Sequence, residues 1–193
     1  TSGIEVAARR EKTLLAFNTL FQGDTRGAQA YLDQVLKFAT ETPFFYDDLV
    51  GMSKILKTFG YTTDEILPQM QKIGNAAAAL GHTPEDMQWV ATYIGRMKAT
   101  DKTLLRYING LIERKIPVYD YLSEALGKTK KEVSEMITKG LIPGTKAAKI
   151  ISDYMGRDFA GSMEALVKSY GGMSDKLSEI KTNFEAIMGA AYI

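Results

Sequence analysis

Apolar residues recur three and four positions apart along most of this chain, and polar residues fill the gaps. That period belongs to amphipathic helices. The stretch from residue 38 to 81 shows it most fully. Leu49, Met52, Leu56 and Phe59 form one stripe, which Thr42-Pro43 is expected to open and Gly60 to close. A second stripe of Ile66, Met70, Ile73, Ala77 and Leu80 follows, with Thr63 as the expected cap, Asp64 and Glu65 in the first turn, and Gly81 as the stop. Upstream, Leu14, Phe17 and Phe21 share a face over residues 4 to 21. After Gly23-Asp24 the series Ala28, Tyr31, Leu32, Val35, Leu36 and Ala39 predicts a helix capped by Asp24. Downstream, Thr83-Pro84-Glu85-Asp86 is a start signal for Met87, Val90, Ala91, Ile94 and Met97. Leu104, Leu105, Ile108, Leu111 and Ile112 mark the next helix.

A short helix is expected from Pro117 to Leu126, ended by Gly127. Thr129 and Glu132 have capping-box spacing for a helix through Lys139, ended by Gly140. Residues 144 to 156 carry Ala147, Ile150, Ile151, Tyr154 and Met155, and another helix is expected over Phe159 to Tyr170. Beyond the Gly171-Gly172 hinge, Met173, Leu177, Ile180, Phe184, Ile187 and Ala191 step by four and three, a 3.5-residue seam suited to packing or self-association. No stretch alternates over strand length. The predicted class is therefore all-α: a compact array of roughly nine to eleven mostly short helices, ending in a longer one. The expected division is a helical domain over residues 1–171 and a C-terminal helix over 172–193.

Composition narrows the function. The 193 residues suffice for a sizeable core. The 24 basic and 23 acidic residues leave a net charge of +1, which disfavours a broad nucleic-acid or anionic-membrane surface. There is no cysteine, and His82 is the single histidine, so neither a cysteine-based zinc site nor a two-histidine site can form within the chain. No apolar run reaches the ~20 residues that span a bilayer. A chain opening on Thr1 is expected to be a segment of a longer protein.

Candidate chemistry is sparse. Gly127-Lys128-Thr129 matches the end of a phosphate loop, but Leu122 stands where the first glycine is required, so a helix stop followed by a cap is the better reading. Asp47-Asp48 and Glu85-Asp86 lie near helix starts, where the dipole already favours acids. His82 reads as a loop histidine with no second catalytic group. Trp89 and Tyr93, four apart, are expected to pack on a neighbouring helix. No catalytic, cofactor-binding or metal-binding residue is assigned, no cofactor is expected, and the chain is read as a non-enzyme. One rival concerns residues 121–149, whose helix, glycine turn and capped helix have the grammar of a DNA-binding helix-turn-helix. Lys128, Lys130 and Lys131 would then contact nucleic acid. Glu132 and Glu135 on the same helix, and the lack of Arg, Asn or Gln there, count against it.

The central stretch also carries a resemblance. Thr42-Pro43-Phe44, the Leu-rich helix ending at Phe59-Gly60, Thr63-Asp64-Glu65 with Ile66 and Pro68, and Gly74-Asn75-Ala76-Ala77-Ala78 closing on Leu80-Gly81 are similar to the N-terminal conserved domain of phage tail tape-measure proteins. The series continues in order through Met97-Lys98-Ala99, Ile116-Pro117-Val118, Ala125-Leu126-Gly127 and Glu132-Val133, covering Leu14 to Met188. Lys115 departs from it, standing where the pattern has glycine before Ile-Pro. The resemblance implies a structural part of a phage or prophage tail, involved in tail assembly and tail-length determination. It implies tail tube and tail-tip proteins and a tail assembly chaperone as partners, with residence in the virion tail and, during assembly, the host cytoplasm. The length readout would lie in a long helical remainder of the parent chain.

Overall fold

The computed structural model describes residues 3–169 and Thr182. Ten α-helices and no strand occur among the described residues, so the all-α expectation holds. The C-terminal seam of Met173 to Ala191, the Gly171-Gly172 hinge and the expected boundary at residues 171/172 lie outside them. The chain forms two units, Thr1–Lys54 with Glu164–Ile193, and Ile55–Met163.

In the first unit, α1 (Gly3–Leu20) packs on α2 (Thr25–Thr40). Gln22 and Gly23 turn the chain with positive φ, and Asp24 Oδ1 then accepts the Gly27 amide at 2.9 Å, the expected cap. All six apolar positions of the α2 stripe are buried. Phe17, Phe21 and Tyr31 form an aromatic cluster with ring centroids 5.6–6.1 Å apart. Burial forces the Tyr31 hydroxyl to find a partner. It donates to Ser53 Oγ of α3 (Tyr46–Thr58) at 2.7 Å, and Ser53 donates to the Leu49 carbonyl at 2.8 Å. α3 begins three residues after Pro43 rather than at it. Thr42 is buried and its hydroxyl accepts the Phe44 amide at 3.4 Å, holding a turn ahead of the helix.

The second unit holds α4 (Thr63–Leu80), α5 (Pro84–Thr100), α6 (Leu105–Glu113), α7 (Val118–Leu126), α8 (Lys130–Thr138) and α9 (Gly144–Asp158). Local signals set most boundaries. Thr83 and Asp86 cap α5 reciprocally, as do Thr129 and Glu132 for α8. Gly81, Gly127 and Gly140 follow their helices with φ near +65°. The cap of α4 is Thr62, not Thr63: the Thr62 amide donates to Glu65 Oε2 at 2.7 Å. Lys115 does adopt a left-handed conformation, φ 66°, despite its side chain. The tenth helix among the described residues, α10, is Ser162–Ser169; it starts later than the expected Phe159 because Gly161 turns at φ 79° just before it.

α9 is the central element of this unit, packed against both α4 and α5. Its start fits closely against the end of α5. At Gly144 any Cβ would lie closer than 3.0 Å to the Met97 carbonyl oxygen and the Lys102 amide nitrogen, so only glycine fits unstrained. Pro143 precedes α9 and offers no side-chain cap. Asp101, left-handed at φ 54°, supplies one from the end of α5: its Oδ1 accepts the Thr145 hydroxyl at 2.6 Å and the Thr145 amide at 3.0 Å. The buried Thr103 hydroxyl donates to the Ile142 carbonyl at 2.7 Å beside it. Leu56, Ile66, Ile73, Ile94, Met97, Ile108 and Ile151 are fully buried. Not every predicted stripe position is inside. On α6 the buried residues are Tyr107, Ile108, Gly110 and Leu111, whereas Leu105 and Ile112 face solvent.

Candidate functional site

The second unit gathers polar side chains in three places. The first is the α7–α8 corner. Gly127 ends α7 in the left-handed region, Thr129 caps α8, and Lys128, Lys130 and Lys131 are all exposed. Lys130 Nζ lies 2.6 Å from Asp120 Oδ1 on α7. Glu132 is held below its ordinary carboxylate range by the Thr129 backbone N–H and hydroxyl. The corner thus matches a helix stop and cap, and one of its three cations is already engaged.

The second is a cleft of about 480 Å3 lined chiefly by α4 and α9, with Tyr61 and Lys98 on its wall. Gln69 Nε2 donates to Ser152 Oγ at 2.8 Å in its buried floor. Lys72 and Lys149 both donate to Asp153, at 2.9 and 2.7 Å. Burial pushes the Asp153 carboxyl up, but the hydrogen bonds from Lys149 and Lys72 outweigh it and hold the group below the usual range. Lys98 donates to the Gly60 carbonyl at 3.3 Å and lies 4.9 Å from the Tyr61 ring centroid. A carboxylate clamped between two ammoniums is a poor proton acceptor near neutral pH. The arrangement works as a strut between α4 and α9.

The third surrounds Arg114 at the end of α6. Its guanidinium lies 5.6 Å from the Tyr93 ring centroid and 6.0 Å from that of Trp89, and the two rings stack at 5.5 Å. Tyr93 packs on Gly110 of α6, where any Cβ would overlap the ring, so the expected packing on a neighbouring helix is found. Trp89 remains 38% exposed. Arg114 Nε lies 3.3 Å from Asp86 Oδ1, and Nη1 donates to the Gly110 carbonyl at 3.0 Å. The Asp86 carboxyl is held down first by the Thr83 backbone N–H. His82, read from sequence as a plain loop residue, is half-buried, with Nε2 2.7 Å from the Arg114 carbonyl. Since a carbonyl only accepts, Nε2 carries the proton. The ring ties the α4–α5 corner to the end of α6. Nothing in the local sequence signals this link, whose partners are 32 residues apart.

Of the acidic pairs, Asp47 is exposed and 3.6 Å from Arg9, and burial next to Asp47 raises the Asp48 carboxyl. Among the described residues no group of three His, Cys, Asp or Glu side chains could hold a metal ion. No helix among them is long and apolar enough to cross a membrane.

Polar groups committed to joining helices, on an all-helical frame, define a structural domain. Comparison with known proteins gives the same class and makes it specific. The chain belongs to the tape measure protein family, whose profile matches residues 4–190. It is 26% identical over 187 residues to the Mu-like prophage FluMu protein gp42 of Haemophilus influenzae, covering 96% of this chain and 29% of that protein. It is 25% identical over 170 residues to the probable tape measure protein of Escherichia phage Mu, covering 88% of this chain and 24% of that one. The chain thus spans less than a third of the length of these relatives. No solved structure matches it.

Proposed function

We propose that this chain is the folded helical segment of a tape measure protein that takes part in assembling a phage or prophage tail and, within its parent chain, in setting tail length. The observation that carries this reading is the collinear family match over residues 4–190. The polar networks support it, because Asp153, Asp86 and Asp101 are each engaged in bonds between or within helices. Its role is architectural rather than enzymatic. The partners are tail tube and tail-tip proteins and a tail assembly chaperone, met in the host cytoplasm before the chain takes its place in the tail.

The test is genetic and microscopic. In a phage or prophage encoding the parent chain, Ile94→Asp in this segment is expected to leave particles without normal tails, because it buries an unpaired charge at a fully buried site. In-frame deletions in the helical remainder are expected to shorten tails in proportion to the residues removed. Tails of unchanged length in every deletion would overturn the length-setting role. Normal tails with Ile94→Asp would remove this segment from assembly.

A further inference from the structure

α6 is apolar on two faces. Tyr107, Ile108 and Leu111 point into the core, while Leu105 is 50% and Ile112 37% exposed. Leu105 and Ile112 are seven positions apart, two helical turns, and so share one outward face. Exposed Asn109 lies between them. Arg106 and Glu113 each follow one of these apolar residues by one position, so both charges run along the same flank of the stripe. Both are exposed. Arg106 Nη2 meets only the hydroxyl of its neighbour Tyr107, at 3.2 Å, with the guanidinium 5.1 Å from that ring. Among the described residues neither charge has an ion-pair partner.

We propose that α6 is a pairing surface for a second copy of this chain, with two α6 helices lying antiparallel about a two-fold axis. The sequence of this face is self-complementary in that orientation and in no other. Reversal sets Leu105 of each copy against Ile112 of the other. A two-fold axis perpendicular to both helices, along the charged flank, keeps that flank on one side. Arg106 of each copy then faces Glu113 of the other, about 3 Å out of register along the axis, within reach of a guanidinium. Parallel two-fold pairing would put the two charged flanks on opposite sides of the seam and leave Arg106 and Glu113 of each copy without an opposite charge. Asn109 comes close to its own copy at the centre, where a polar residue fixes register. Such an isologous contact closes on itself and does not propagate. Nine residues give only about 13 Å of helix, so this contact is smaller than a standard interface and the dimer is weak and concentration-dependent.

Sedimentation equilibrium of the 193-residue chain tests this over a concentration series at low and high salt. A monomer–dimer equilibrium that weakens with salt is expected. Arg106→Glu and Glu113→Arg should each weaken it by about tenfold or more, because each puts like charges opposite. The double variant Arg106→Glu with Glu113→Arg should return to within about threefold of the parent, since the pairs re-form with signs exchanged. Both positions are exposed, so the fold should survive, which far-UV circular dichroism checks. A monomer at every concentration overturns the proposal. So do single variants that associate like the parent, the result expected if copies join instead through the Met173–Ala191 seam, or a double variant that fails to recover.

Discussion

Two glycines of the same helix should respond oppositely to one added methyl group. At Gly144 a Cβ would be closer than 3.0 Å to the Met97 carbonyl oxygen and the Lys102 amide nitrogen, both backbone atoms that no rotamer change can move. Carbon and its neighbours prefer 3.5–4.0 Å, on the order of 1 Å more than the space allows, so the start of α9 must retreat from the end of α5. That retreat strains the overpacked contact, typically about 1–3 kcal/mol, and loosens the buried Thr103–Ile142 bond, worth about 1 kcal/mol. The gain in helix propensity from Gly to Ala, at most about 1 kcal/mol, offsets only part of this. Gly144→Ala should therefore cost about 1–3 kcal/mol. At Gly156 the nearest atoms are the Lys72 side-chain carbons, from 3.1 Å outward, a flexible stem that can swing aside. Gly156→Ala should be neutral or stabilise by up to about 1 kcal/mol. Urea denaturation of both variants beside the parent gives the comparison, with equal m-values required before midpoints are converted. A Gly144→Ala loss below about 1 kcal/mol would refute the close-approach argument. So would a Gly156→Ala loss equal to that at Gly144.

Leu56→Ala, Ile73→Ala and Ile94→Ala remove side chains with no exposed surface, and each should lower the urea-derived stability by about 2–5 kcal/mol. Lys115→Gly should stabilise by about 1 kcal/mol in the same assay, because a lysine at φ 66° carries a steric cost that glycine does not. Asp101 is held below the usual carboxylate range first by the Thr145 hydroxyl and then by its amide. A depressed carboxyl contributes stability that is present above its unfolded value of about 3.9 and is lost as pH falls through its lower folded value, so thermal melts of Asp101→Asn should fall less steeply with acid than those of the parent over that window. Salt-dependent DNA binding that weakens in a Lys130→Ala, Lys131→Ala double variant is not expected. A gel shift showing it at physiological salt would revive the helix-turn-helix reading of residues 121–149.

What could be read from sequence was what neighbouring residues decide among themselves. The caps at Thr83 and Thr129 and the stops at Gly81 and Gly127 act within one turn, so their signals are local and were legible. The α2 stripe was legible because one neighbour-facing side must bury its apolar residues. α6 was not, because a nine-residue helix apolar on both sides does not say which side is inside. Pro43 signalled a turn as well as it signalled a helix start, and the turn prevailed. The links that join the helices were out of reach. Asp101 caps a helix 44 residues away, and His82 bonds a carbonyl 32 residues away. Gly144, Gly95 and Gly110 are small because something presses on them, the end of α5, the Phe59 ring and the Tyr93 ring, and a glycine in a sequence reads first as flexibility. Membership of the tape measure family was legible without any site, because it rests on a collinear series of packing and turn residues.

The clasp between Asp101 and Thr145 also has a kinetic meaning. It closes a loop that contains α6, α7 and α8, and Thr103 with Ile142 closes the same loop one step inside. Closing so long a loop before its contents are ordered sacrifices chain entropy with little return. The hairpin of α7 and α8 has short-range contacts and can form first, bringing the two corners together. The clasp is therefore expected to form late in folding, after the rate-limiting step. Disturbing it, as Thr145→Ala does, should speed unfolding and leave the folding rate nearly unchanged, a pattern stopped-flow chevrons resolve directly. A late clasp of this kind sets how long the folded segment stays folded rather than how fast it gets there.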